Sequence, residues 1–180
     1  MYIDFFYITQ KIIAWKDSED GVAMLEAAML FPPMLTLLLG TFDLGNGIVL
    51  SQKTITASQV AADLISRNKT MNATNLDDII EGSKLAFEPY GSSEYGVDIV
   101  SVEFDNNRNP QILWRETQNM LPNNDALESV RGLYDSGEGM VIVSVVYAYN
   151  PQFAKFFTGE FEFLEVAFTR GRRSATVTWN

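Results

Sequence analysis

The run GVAMLEAAMLFPPMLTLLLG at residues 21–40 constrains this chain more than any other stretch, because it holds a single ionisable side chain, Glu26. From Val22 to Thr41 the apolar character is broken only by that carboxylate. A helix needs about 20 such residues to cross ~30 Å of hydrocarbon. A charge inside the span costs about 2.5–3.5 kcal/mol on insertion scales, so an acid there marks a function by default. After Asp43 the pattern changes. Leu44, Ile48, Ile55, Ala62 and Ile65 recur near helical spacing, with Ser51, Gln52, Lys53, Gln59 and Asp63 between them. The spacing predicts that one helix over 22–67 leaves the membrane and becomes amphipathic. Pro32 and Pro33 deprive the carbonyls of Ala28 and Met29 of their helical donors and are expected to kink the helix, which membrane helices tolerate. The competing reading is a buried core helix of a soluble protein. Both prolines and the uniform apolar character favour the bilayer.

Residues 1–21 read as a leader segment. IDFFYITQKIIAW is apolar and aromatic with Lys11 and Lys16, and KDSED then turns acidic. The stretch is too short to span a bilayer, and no small-residue cleavage pattern follows it, so an ordinary secretory signal fits poorly. A short interfacial helix and a cytoplasmic leader that is later removed are the two readings.

Residues 68–180 form the third zone, an extracytoplasmic α+β domain. NKTMNATN is a polar break. Thr74 with Asp77, or Asn75 with Asp78, offers a cap-like start for a helix through LDDIIEGSKLAF, ended by Pro89 and Gly91. GVDIVSVEF alternates as a strand, with Val97, Ile99, Val102 and Phe104 among its apolar positions. DNNRNP is a turn, QILWRETQ a second strand, and PNNDALESVRGLYDSGEG a short helix or irregular loop. GMVIVSVVYAYNP is the strongest strand, and PQFAKFF one helical turn. FEFLEVAFTRGRRSATVTWN gives one long bent strand or two strands broken at Gly171. The fold class is therefore α+β: a long N-terminal transmembrane and amphipathic helix packed on a small C-terminal antiparallel sheet with short helices.

Composition narrows the chemistry. The 180 residues carry a net charge of −10, which argues against nucleic acid as a partner and against a polybasic membrane anchor. There is no cysteine and no histidine. That removes disulfides, thiolate zinc sites, the usual general base and every Ser-His or Cys-His dyad. An enzyme would have to use carboxylates, Lys or Tyr. Asp98 with Glu103 or Glu116 is a conceivable carboxylate pair, but acids on an exposed sheet face are far commoner. DNNRNPQILWRE at 105–116 overlays a calcium-binding EF-hand loop at Asp105, Asn107, Asn109, Ile112 and Glu116. Pro110 stands where that loop needs Gly, and a β-turn explains the same residues. Arg170, Arg172 and Arg173 read as turn residues paired with nearby carboxylates rather than as an anion patch. Asn68 and Asn72 head glycosylation sequons by pattern and are read as loop. No catalytic residue, metal site or cofactor is expected.

Gly21, Val22 and Glu26 together have the form of a type IV prepilin processing site, with a Gly, a cut and a Glu at the fifth mature position. The continuation AAMLFPPMLTLLLGTFDLGNG, through Pro33, the Leu37-Leu38-Leu39 run, Gly40, Asp43 and Gly45, resembles the TadE/TadG-like minor pilins (pseudopilins) of tight-adherence, type IVc, systems. VVYAYNPQF and AFTRGRRSATV resemble the family's ending more loosely. Ala27 stands where major pilins of that system carry Tyr, and the chain is long, which favours a minor pilin over the filament subunit. The resemblance implies a pilin-like arrangement and cleavage between Gly21 and Val22. It implies insertion in the inner membrane with the C-terminal domain periplasmic, and possible incorporation into an extracellular pilus. The implied role is assembly of the pilus and its secretion machinery, for adhesion or surface colonisation. The implied partners are other pilins and minor pilins, a prepilin peptidase, the inner-membrane assembly platform and membrane lipid. Physically, a carboxylate in an apolar wall is satisfied by the N-terminal ammonium of a neighbouring subunit, a pair strengthened by low dielectric. The alternative for Glu26 is snorkelling to the headgroups. The alternative for the protein is an uncleaved single-pass anchor displaying a periplasmic binding domain. That alternative needs neither Gly21 nor Glu26, and Asp17, Glu19 and Asp20 stand where family leaders carry Lys and Arg, a departure that bears on cleavage and topology.

Overall fold

The computed structural model describes residues 19–153, 155 and 159–180. The expected leader therefore lies outside the described residues except at 19–21, and residues 154, 156 and 157 of the helical turn expected at PQFAKFF lie outside them too.

Helix α1 runs from Glu19 to Ser66 without interruption, with Pro32 and Pro33 inside it. At 1.5 Å per residue its length is about 72 Å. The chain divides into two compact units, one up to Leu44 and one from Gly45 onward, so nearly half of α1, from Gly45 to Ser66, belongs with the sheet. In the first unit, residues 21–38 are all exposed. In the second, the buried face of α1 is Gly47, Leu50, Thr54, Ala57, Ser58, Ala61, Ala62 and Ile65, the 3–4 spacing of one helical stripe. The expected apolar positions only partly fall on it. Ala62 and Ile65 do, Ile55 is half-buried, and Leu44 and Ile48 are 68 % and 66 % exposed. The packed face is small because small side chains let the helix axis approach the sheet. Its hydroxyls return to the helix's own carbonyls, Thr54 to Leu50 O at 2.9 Å and Ser58 to Ile55 O at 2.9 Å. Gly47 lies against the rings of Tyr149 and Phe163.

A short strand β1 (Thr70–Met71) follows, then helix α2 (Ala73–Lys84) and a 3₁₀ turn (Leu85–Phe87). The cap of α2 is Asn72, whose Oδ1 accepts from the Asn75 N–H at 2.8 Å. The helix thus starts ahead of the Thr74 and Asn75 caps that the sequence pattern suggested. Asn72 has the extended backbone a cap requires. Lys53 of α1 donates to the carbonyls of Ala86 (2.9 Å) and Glu88 (2.8 Å), where a helix end leaves acceptors unpaired.

Four antiparallel strands make the main sheet: β2 (Tyr95–Phe104), β3 (Pro110–Gln118), β4 (Gly139–Tyr149) and β5 (Phe161–Thr169), in the order β3-β2-β4-β5. Helix α3 (Asn124–Ser129) lies between β3 and β4 in sequence, and β6 (Thr178–Trp179) pairs in parallel with β1. The central strands β2 and β4 are buried on both faces. On one face Val97, Ile99, Val141, Val143, Val145 and Tyr147 pack with α1, α2 and Phe87. On the other, Val100, Val102, Phe104, Met140 and Ile142 pack with Ala126 and Val130. A bulge in β3 shifts the register between Ser101↔Trp114 and Val102↔Ile112. Trp114 thereby joins the α1 face while Ile112 sits on the other. The last part of the chain gives two strands, β5 and β6, with residues 170–177 between them rather than a single break at Gly171. That connection passes so close to β4 that a Cβ on Gly139 would lie 2.6 Å from the Ala175 carbonyl oxygen. The architecture is α+β: a long apolar N-terminal helix, a four-stranded antiparallel sheet and short helices.

Candidate functional site: the N-terminal helix

Gly21 and Val22 lie within α1, whose described part begins at Glu19. A Cβ added at Gly21 would meet nothing within 4 Å, and Val22 is 57 % exposed. Packing within the described fold therefore places no demand for glycine at 21. Glu26 stands one helical turn beyond Val22 and is exposed, as are all its neighbours from 21 to 38. Its apolar surroundings are side chains on the helix's own surface: Met24, Leu25, Met29 and Leu30, each more than 60 % exposed.

Pro32 and Pro33 sit inside the continuous helix. The hydroxyl of Thr36 donates to the Pro32 carbonyl at 2.9 Å, and Thr41 does the same to Leu37 at 2.8 Å. Both hydroxyls of the run are thus satisfied within it, a common arrangement in apolar helices. Among the described residues, α1 is the one helix long and apolar enough to cross a membrane, by length and composition. It fits a single-pass membrane anchor.

The polar groups of the second unit are engaged in structure. Asp98, 1 % exposed, accepts from Arg115 Nε (2.8 Å) and Nη2 (2.6 Å), from the Thr117 hydroxyl (2.9 Å) and from the Asn123 N–H (2.8 Å). Burial pushes its carboxyl up. The Arg115 guanidinium, the Asn123 amide and the Thr117 hydroxyl together outweigh that and hold its pKa below the ordinary aspartate value. Neither Glu103 nor Glu116 is among its partners. Tyr95 is buried, shares a 2.6 Å hydrogen bond with Ser83, and is pushed up to about 12, chiefly by burial.

The residues of the EF-hand overlay form the β2–β3 hairpin. Asp105 Oδ1 accepts from the Asn107 and Asn109 N–H groups, each at 2.8 Å, and Glu116 lies far along β3, opposite Ile99. Among the described residues no three metal-ligating side chains come together. Arg170 pairs with Glu138 at 2.6 Å and lies over the Tyr134 ring. Arg172 pairs with Asp63, which also binds Arg67. Asn68 donates to the Leu64 carbonyl at the end of α1, and Asn72 caps α2.

Sequence reasoning missed the Asp98–Arg115 pair and the small-residue face of α1. The first needs the strand register to be seen. The second was already visible as the spacing of Ala57, Ala61, Ala62 and Ile65.

Residues 21–63 match the family model described as TadE-like protein. No curated protein and no solved structure matches the chain. The matched segment takes in Gly21, Val22, Glu26, both prolines and the start of the small-residue face, and over it this chain is similar to TadE-like proteins.

Proposed function

We propose that this protein is a minor pilin or pseudopilin of a tight-adherence, type IVc, pilus. Its task is assembly of the pilus and its secretion machinery, in the service of adhesion or surface colonisation, with no catalytic step of its own. One observation carries the reading: the TadE-like match over 21–63 coincides with the apolar, membrane-length helix, and Glu26 is the sole ionisable residue from 22 to 41. Cleavage after Gly21 leaves an ammonium on Val22 at the rim of the bilayer. Gly21 has no side chain to obstruct a peptidase at that bond. Glu26 then meets the ammonium of a neighbouring subunit, which removes the penalty of a lone charge in hydrocarbon. The partners are other pilins and minor pilins, the prepilin peptidase and the inner-membrane platform, with the second unit on the periplasmic side.

The test is Glu26→Ala. Losing one side of a buried pair leaves the other charge uncompensated, at about 3–5 kcal/mol. The variant is expected to insert and to be cut after Gly21, as N-terminal sequencing reads, yet to fail in pilus assembly. Normal filaments from a fully processed variant overturn the assembly role of Glu26.

The second reading is an uncleaved single-pass anchor. It is favoured by Asp17, Glu19 and Asp20 ahead of Gly21, and by α1 being helical from Glu19 on, straight through the bond. A mature protein that retains residue 21 selects it.

A further inference from the structure

Strand β5 is hydrogen-bonded to β4 along its whole length, from Val141↔Thr169 to Tyr149↔Phe161 without a register shift. On its other side no strand pairs with it among the described residues. An edge strand points alternate N–H and C=O groups outward, and proteins normally blunt such an edge with proline, a bulge, lysines or short length. β5 has nine residues, with no proline, lysine or bulge, and its only charged side chains are Glu162 and Glu165. It also leaves large apolar side chains bare: Phe161 at 41 %, Leu164 at 50 % and Phe168 at 48 % exposure.

The charges on β5 choose the occupant. Glu162 and Glu165 lie on opposite faces of the strand, since Glu162 is in register with Ala148 and Glu165 with Val145. The antiparallel register that overlays all of β5 on a second β5 sets Glu165 directly against its own copy. A parallel in-register pair opposes both acids, and like charges directly opposite are unfavourable. The chain's net charge of −10 works in the same direction. These carboxylates disfavour self-pairing and leave the edge open to a strand of opposite charge. We propose that the free edge of β5 receives an extended segment of another protein. That segment carries Lys or Arg opposite Glu162 and Glu165, and apolar residues opposite Leu164, Val166 and Phe168. Main-chain hydrogen bonds supply the affinity of such strand addition and the alternating side chains its selectivity.

The experiment uses the full chain in detergent micelles and a fluorescein-labelled peptide of β5's length. In a Val/Thr background the peptide carries two Lys three positions apart; a control carries Glu at those positions. Anisotropy is expected to show the Lys peptide binding at least about tenfold more tightly than the Glu peptide, with affinity falling as salt rises. Hydrogen exchange is expected to show new protection on alternate amides within 161–169. The double variant E162K/E165K, its fold checked by near-UV circular dichroism, is expected to reverse the peptide preference. Equal binding of the two peptides, no binding, or protection confined to other segments overturns the proposal. Concentration-dependent self-association that protects 161–169 in the absence of peptide also overturns it, in favour of a second copy as occupant.

Discussion

Asp98 shows how a single residue changes meaning once the register is known. On the chain it is one acid among several in an alternating strand. In the fold it is directly opposite Thr117, and Arg115, paired with Val100, is its diagonal neighbour on the same face. Two bonds from Arg115 and one each from Thr117 and Asn123 occupy the carboxylate. Arg115→Ala is expected to cost about 3 kcal/mol in a denaturant titration, because it strands a buried charge that keeps only its two neutral donors. The pH dependence follows from the direction of the shift. The Asp98 pKa is lower folded than unfolded, so its contribution is fully present above the unfolded carboxylate value of about 3.9 and is lost as pH falls through the folded value. Asp98→Asn is expected to flatten that acid limb. An unchanged acid profile in the variant contradicts the assignment. No sequence pattern announces this network, because the sequence shows periodicity but not which rung faces which.

At the scale of the element, α1 is two helices in one. Up to Leu38 it presents apolar side chains outward on every side, and from Gly47 it buries a stripe of small residues against the sheet. Its existence, length and change of character were all legible, since a long apolar run followed by helical periodicity admits few other structures. The face was read less well, because bulky Leu44 and Ile48 drew the eye and both are exposed. A helix set close to a sheet needs small side chains at the contact, so Ala61, fully buried, is the sensitive position. Ala61→Leu is expected to destabilise the second unit by about 1–3 kcal/mol through overpacking. Ile48→Ala is expected to change it by less than about 0.5 kcal/mol. Thermal melts of both variants in the same micelle check the order, and equal losses would contradict the assigned face. The main strands were legible from their alternation and a separate last strand was one of two readings, but β1 and the parallel pairing of β6 with it were not. Two residues are too short to carry a period, and their pairing is set by what the chain does between them.

For the whole molecule, Lys11 and Lys16 ahead of the apolar helix are the ground, by the positive-inside rule, on which the proposed topology sets the N-terminus in the cytoplasm. Protease added to spheroplasts is then expected to digest residues 68–180; full protection reverses the topology. The second unit has a further property that follows from its wiring. Residues 70–71 pair with 178–179, and the Val177 carbonyl accepts from both Ser101 Oγ and Trp114 Nε1 at 2.7 Å, with Trp179 beside the Trp114 ring at 5.4 Å. The fastening that closes the unit therefore joins its beginning to residues synthesised long afterwards, and contacts so distant along the chain form slowly. On the ribosome everything from β1 to β5 is made before the clasp exists, so the chain emerges without a locked core. Under the proposed topology the second unit has to pass lengthwise through a narrow translocation channel, and this order of synthesis favours a chain that is still threadable during that interval.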